Sequence, residues 1–120
     1  MNSGLAAREI GNLVRNLRKQ HMGKGPDEVV TRFSGPLVIC EMKGCMTNFE
    51  KFMAQTPEGK QMIHTARTAF VKRMYEDPAL RAQLERIVNA KFIKIYADFC
   101  VDTDSAISVF VFQSSLGTGQ

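Results

Sequence analysis

The sequence predicts an α+β domain in which a four-stranded antiparallel sheet carries helices on one face. Three observations predict it. Apolar residues recur at helical spacing over residues 3–22 and over much of 47–89. They alternate with a period of two in two pairs of short runs, over 28–43 and 91–113. A short polar or glycine-containing turn joins the members of each pair, so each pair reads as an antiparallel hairpin. The element order is α-β-β-α-α-α-β-β. Hairpins separated by helices place the helices together on one side of a shared sheet.

In the first helix, Leu5, Ile10, Leu13, Val14 and Leu17 form the apolar stripe. Arg8, Arg15, Arg18 and Lys19 fall off that stripe and are expected to make a solvated basic face. Ser3 is the expected N-cap. Gly23 and Gly25 end the helix, and Pro26 prevents its resumption. Glu28–Ser34 and Leu37–Lys43 are the next two strands, turned at Gly35-Pro36. In the second, Val38, Cys40 and Met42 share one face, while Leu37 and Ile39 share the other with Glu41 and Lys43.

Thr47-Asn48-Phe49-Glu50, introduced by Gly44, is a capping box that starts a short helix. Thr56-Pro57-Glu58-Gly59 starts another, with Met62, Ile63, Ala66, Phe70 and Met74 on its expected apolar side. Asp77-Pro78 starts a third, carrying Leu80, Leu84, Ile87 and Val88, and Asn89 suits the left-handed position that ends it. Two strands follow, joined by the polar turn 101–104. Gly25, Pro26, Gly44, Thr47, Glu50 and Gly59 are thus expected to be structural. Residues 1–113 make one domain, and 114–120 have the composition of a flexible tail.

At 44% hydrophobic and 23% charged, the 120 residues can bury a core without a disulfide or metal staple. The net charge of +4 permits only weak attraction to nucleic acid or anionic lipid. No apolar run approaches the ~20 residues of a membrane span, so membrane insertion is not expected. The N-terminal residues lead into a charged helix with no apolar signal core, which predicts no secretory peptide. Cys40, Cys45 and Cys100 are odd in number and lack framework spacing, which predicts reduced thiols and a cytoplasmic chain.

The order of certain signals is informative. Gly23-Lys24-Gly25-Pro26 closes the first helix. Gly44-Cys45-Met46-Thr47-Asn48-Phe49-Glu50-Lys51 follows, then Thr56-Pro57-Glu58-Gly59, Arg67, and Tyr96-Ala97-Asp98 before a polar turn. In this order and spacing, over about residues 5–113, the chain resembles the bacterial MpsC family. That family was long a domain of unknown function, and its label refers to a sodium-translocating, membrane-potential-generating system. The chain departs from the family pattern at Cys45-Met46, where an apolar pair such as Val-Leu is usual, and at Asn89-Ala90, near a usual glycine. The resemblance implies a cytoplasmic accessory to a membrane ion system. With no span and no ion path, such a chain would not itself carry the ion.

No catalytic constellation is visible. Gly23-Lys24-Gly25-Pro26 lacks phosphate-loop spacing and follows a helix instead of opening one. Cys40, Cys45, Cys100, His21 and His64 lack the close ligand spacing of a zinc site, so neither metal nor cofactor is expected. His64 lies three residues from Arg67, hence beside it on the helix, with no pocket to make it a general base. Arg67, at the edge of its apolar stripe, is expected to pair with Asp98 or Glu50 and tie helix to sheet.

The first functional expectation is a non-enzymatic accessory domain that forms a homodimer. Leu37, Ile39, Phe110 and Phe112 supply surplus apolar surface for the interface, and a protein of the membrane system is a further expected partner. The alternative is a small-anion or nucleotide sensor in which Lys51, Arg67 and Asp98 surround the anion. A further alternative is nucleic-acid binding through the basic first helix. No base-reading pattern accompanies that helix, so nucleic acid is not an expected partner.

Overall fold

The computed structural model describes residues 2–116. Asn2, one residue before the expected Ser3, caps α1 (Ser3–Met22), its side-chain oxygen accepting from the Leu5 N–H at 3.0 Å. Gly23 closes α1 in the left-handed conformation, with φ 83°. β1 (Glu28–Ser34) and β2 (Leu37–Lys43) follow as an antiparallel hairpin. The three middle helices start where the caps predict them: α2 (Asn48–Met53) at Thr47, α3 (Pro57–Met74) at Thr56, and α4 (Pro78–Val88) at Asp77. Asn89, with φ 56°, ends α4. β3 (Phe92–Cys100) and β4 (Ser105–Phe112) complete the expected α-β-β-α-α-α-β-β order.

The four strands form one antiparallel sheet in the order β1-β2-β4-β3. The second hairpin therefore docks through β4 onto β2, and β1 and β3 are the edges. α1 packs on β1, and α3 packs on β3. Between helices and sheet lies a core of Ile10, Val14, Val38, Met42, Ile63, Val71, Tyr75, Leu84 and Phe110, among others. A register shift between Phe92 and Lys94 lets Phe92 face the core together with Phe99 on the same strand.

Phe110 and Phe112, expected at an interface with Leu37 and Ile39, are instead fully buried on the helix side. Tyr75 meets Phe110 edge-on at 4.9 Å between ring centroids, and Phe92 meets Phe112 at 5.7 Å. Both alternate faces of β4 are apolar, and the aromatic face is the one the helices cover. Ile107, Val109 and Val111 therefore look the other way.

Arg18, expected on the solvated basic face, is also buried, at 3% exposure. The face of α1 that meets the core is Ala6, Ile10, Val14 and Arg18, spaced by four, while Leu5 is half exposed. Arg8 and Lys19 are exposed as expected, and Arg15 is partly covered. In α3 the buried stripe is Gly59, Ile63, Arg67 and Val71, one residue round from the expected one. Met62, Ala66 and Phe70 are exposed as a result. The tail expected over 114–120 begins in contact with the fold. Leu116 is buried and its N–H donates to Gly35 O at 2.9 Å, while residues 117–120 lie outside the described residues.

Candidate functional site

Two features stand out on this frame: a polar centre under the helices and an open sheet face opposite them. The polar centre is built on Arg67. Because Arg67 falls on the buried stripe of α3, its charge must be met inside the protein. The Thr47 capping box meets it. The Thr47 N–H donates to Glu50 Oε1 at 3.0 Å, which orients the carboxylate toward α3. Arg67 grips that carboxylate through Nε, at 2.8 Å, and through Nη2. Nη2 also donates to the Cys45 carbonyl at 2.9 Å, and the guanidinium lies 5.1 Å from the Phe99 ring centroid. Burial pushes Glu50 up, but the hydrogen bonds from Arg67 and Thr47 outweigh it and hold the carboxyl below its ordinary range.

The loop that carries Cys45 is fixed by a residue the sequence did not single out. Asp104, in the β3–β4 turn, accepts from the N–H groups of Cys45 and Met46, each at 2.9 Å. Its backbone is left-handed, at φ 49°, a conformation aspartate tolerates better than most residues. Asp104 O also accepts from the Gly44 N–H at 3.0 Å. From the other side, Lys24 bonds Asp27 at 2.9 Å and reaches the Gly44 carbonyl. Gly44 has φ 69°, and a Cβ there would collide with the Asp27 side chain, so glycine is the residue that fits. At Gly59 a Cβ would collide with the Met53 carbonyl, which lets α3 start hard against α2.

Arg18 lies beside this centre. The groups whose charges reach it are Cys45, Tyr75, Arg67 and Cys40, none a carboxylate, and burial drives its pKa down. Its Nη1 is sealed from solvent with no acceptor among the described residues. The same burial pushes the Cys40 thiol up to about 11 and raises Cys45 and Tyr75.

Lys51, Arg67 and Asp98, expected around one anion, have three different environments. Lys51 is exposed on α2 and its charge reaches Asp27. Arg67 holds Glu50. Asp98 is exposed on the edge strand, bonded to His64 at 2.8 Å and held below its ordinary range by that contact. Of the two acids anticipated for Arg67, Glu50 is the partner, so the pair ties α3 to α2 rather than helix to sheet. Among the described residues, no group of three or more His, Cys, Asp or Glu side chains could hold a metal.

The face of the sheet away from the helices is uncovered. Its registered rows read Ser34-Leu37-Val111-Lys94, Arg32-Ile39-Val109-Tyr96, Val30-Glu41-Ile107-Asp98 and Glu28-Lys43-Ser105-Cys100. Leu37, Ile39, Val109 and Val111 occupy the two central strands. Val30 is 50% exposed, Tyr96 55% and Ile107 37%. A shallow depression of about 410 Å³ opens at one end, between Glu28, Glu41, Lys43, Asp98 and Ile107. Arg32 and Glu41 pair across β1 and β2 on this face.

No helix among the described residues is long and apolar enough to cross a membrane. No solved structure matches the chain. The uncharacterized protein YrhF of Bacillus subtilis (strain 168) is 32% identical over 108 residues, covering 90% of this chain and 88% of that protein. The family described as Na+-translocating membrane potential-generating system (MpsC) matches over residues 2–114. That match takes in the whole sheet, its helices and the arginine centre as one unit, and the chain belongs to the MpsC family.

Proposed function

We propose that the protein is a cytoplasmic, non-enzymatic accessory domain of a membrane ion-translocation system, and that it works as a homodimer through its open sheet face. The observation that carries this reading is the row of Leu37, Ile39, Val109 and Val111 along the two central strands, with no helix over them. A half-covered antiparallel sheet normally offers polar residues to water on its outer side. A contiguous apolar strip there is what an interface needs.

Charge argues for a second copy as the occupant. The open face carries three acids, Glu28, Glu41 and Asp98, against three bases, Arg32, Lys43 and Lys94, so it is neutral on a chain of net charge +4. A neutral face gives no hold to phosphates or anionic lipid, and it lets two basic chains meet without repulsion. The rows also allow self-pairing. A two-fold axis running across the strands lays the Arg32-Ile39-Val109-Tyr96 row of one copy over the Val30-Glu41-Ile107-Asp98 row of the other. Val109 of each copy then meets Ile107 of the other and Tyr96 meets Asp98, the reciprocal contact a two-fold interface requires, while Arg32 stays beside its own Glu41. Family membership supports the link to a membrane-potential system, and the dimer would present its helices and the exposed Phe49 and Phe52 to a protein partner.

Crosslinking tests the geometry. In a Cys100→Ser chain, cysteines placed at Val109 and Ile107 should join two copies under mild oxidation, while a cysteine at exposed Arg8 on α1 should not. Equal crosslinking at both places would count against the face.

A further inference from the structure

We propose that the arginine centre is the inner wall of a binding site for a small monoanionic carboxylate, in which the thioether of Met22 occupies the place of a carboxylate oxygen. Four observations carry it. Arg18 and Arg67 are both buried, at 3% and 4% exposure, and among the described residues one carboxylate, Glu50, serves the pair. The charge count of the cluster is therefore one positive in excess, in surroundings that penalise an unpaired charge. Arg18 Nη1 has no acceptor among the described residues. Arg67 Nη1 has only the Met22 sulfur, at 3.1 Å, a weak acceptor for a guanidinium N–H.

The fourth observation is access. A cavity of about 280 Å³ opens between α1 and α3, lined by His21, Met22, Thr47, Ala66, Arg67 and Phe70, with Glu50 at its side. Met22 and Arg18 are four residues apart on one face of α1, and helix side chains lean toward the N-terminus. Met22 lines the cavity, and Arg18, one turn earlier on the same helix face, lies behind that lining. Methionine is unbranched and readily changes rotamer, so it can yield to a ligand. One carboxylate entering past Met22 would take the N–H groups of both Nη1 atoms and cancel the excess charge. The Phe70 ring and Ala66 would face its aliphatic part. Glu50 remains at the wall, which disfavours a dianion. This site stands apart from the sheet face, and it stands or falls independently of dimerisation.

The test uses the whole chain at constant ionic strength, with sodium acetate, butyrate, inorganic phosphate or chloride as the varied salt. Acetate and butyrate should raise the melting temperature over chloride in a saturating way, butyrate more tightly. At a hundred times the dissociation constant, the folded-to-unfolded ratio rises about a hundredfold. In a chain labelled with 13C at the methionine methyls, the Met22 resonance (assigned with Met22→Leu) should move along the same curve. Arg18→Met should fold without the salt and lose both responses. A Met22 signal unmoved by every carboxylate overturns the proposal, and this holds even if Arg18→Met does not fold. A response that survives Arg18→Met, or a preference for phosphate over the carboxylates above pH 7, also overturns it.

Discussion

Ile39 and Val109 are direct cross-strand partners on the two central strands, and both project from the side of the sheet that no helix covers. Their neighbours across the same row are Arg32 and Tyr96. The pair is thus an aliphatic centre with a charged and an aromatic rim, the layout of a protein interface. The opposite parity of the same strands supplies Val38, Cys40, Ser108 and Phe110 to the core. Substitutions at Ile39 or Val109 should therefore affect association far more than folding.

Glu50 and Arg67 should behave as one unit. Glu50→Gln leaves two buried guanidinium groups without a carboxylate and should cost about 3 kcal/mol in urea unfolding, as removal of one partner of a buried pair does. Arg67→Met in the same chain should restore part of that loss, because both buried charges of the pair are then gone. An additive double mutant would show that the two are uncoupled.

The same pair shapes the acid limb of the stability curve. Glu50 has a folded pKa below its unfolded value, so its contribution is fully present above the ordinary glutamate pKa of about 4.3 and is lost as pH falls through the lower folded value. Asp27 and Asp98 are shifted the same way at exposed positions and add to the limb weakly. Urea melts between pH 3 and 6 should show stability falling with pH in the wild type, and a shallower fall in Glu50→Gln.

Much of this could be read from local chemistry. The boxes at Thr47, Thr56 and Asp77 announce α2, α3 and α4, because a cap involves residues only a few positions apart. The parity of each strand was equally legible. Period two separates Val109 from Phe110 but does not say which of two apolar faces the helices cover, and that choice depends on tertiary packing. Arg18 was misleading for a related reason, whereas Arg67 has one of the two partners anticipated for it. A charged side chain beside a stripe reads as solvated until the face that the helix buries is known. Asp104 acts on residues 58 and 59 positions away, and no local pattern reports a contact of that range.

Asp104 makes its own prediction. Asp104→Ala should lose both hydrogen bonds to the Cys45-Met46 backbone and strain the left-handed turn, at a cost of about 2–3 kcal/mol. Asp104→Gly relieves the strain but not the lost bonds, so it should fall between Ala and wild type. Asp104→Asn, which keeps an acceptor and tolerates the conformation, should be mildest. Thermal unfolding in that order checks the account, and an alanine variant as stable as wild type contradicts it.

The thiols should separate cleanly. Cys100 is exposed, with a thiol drawn below its ordinary range by hydrogen bonding in the Thr103 turn, while Cys40 and Cys45 are buried with thiols pushed up. Titration of the Val109→Lys chain, whose open face is free, with a thiol reagent at pH 8 should show one fast cysteine, and the other two should react only on unfolding. Replacing Cys100 by serine should remove the fast phase.

The central claim is that a second copy covers the open sheet face, and light scattering coupled to size exclusion at micromolar concentration tests it most directly. The wild-type chain should run at twice its 13.4 kDa mass, and Val109→Lys should run at the single mass with an unchanged far-ultraviolet spectrum. A wild-type chain that is monomeric under these conditions, or a Val109→Lys chain that stays dimeric, would contradict the account.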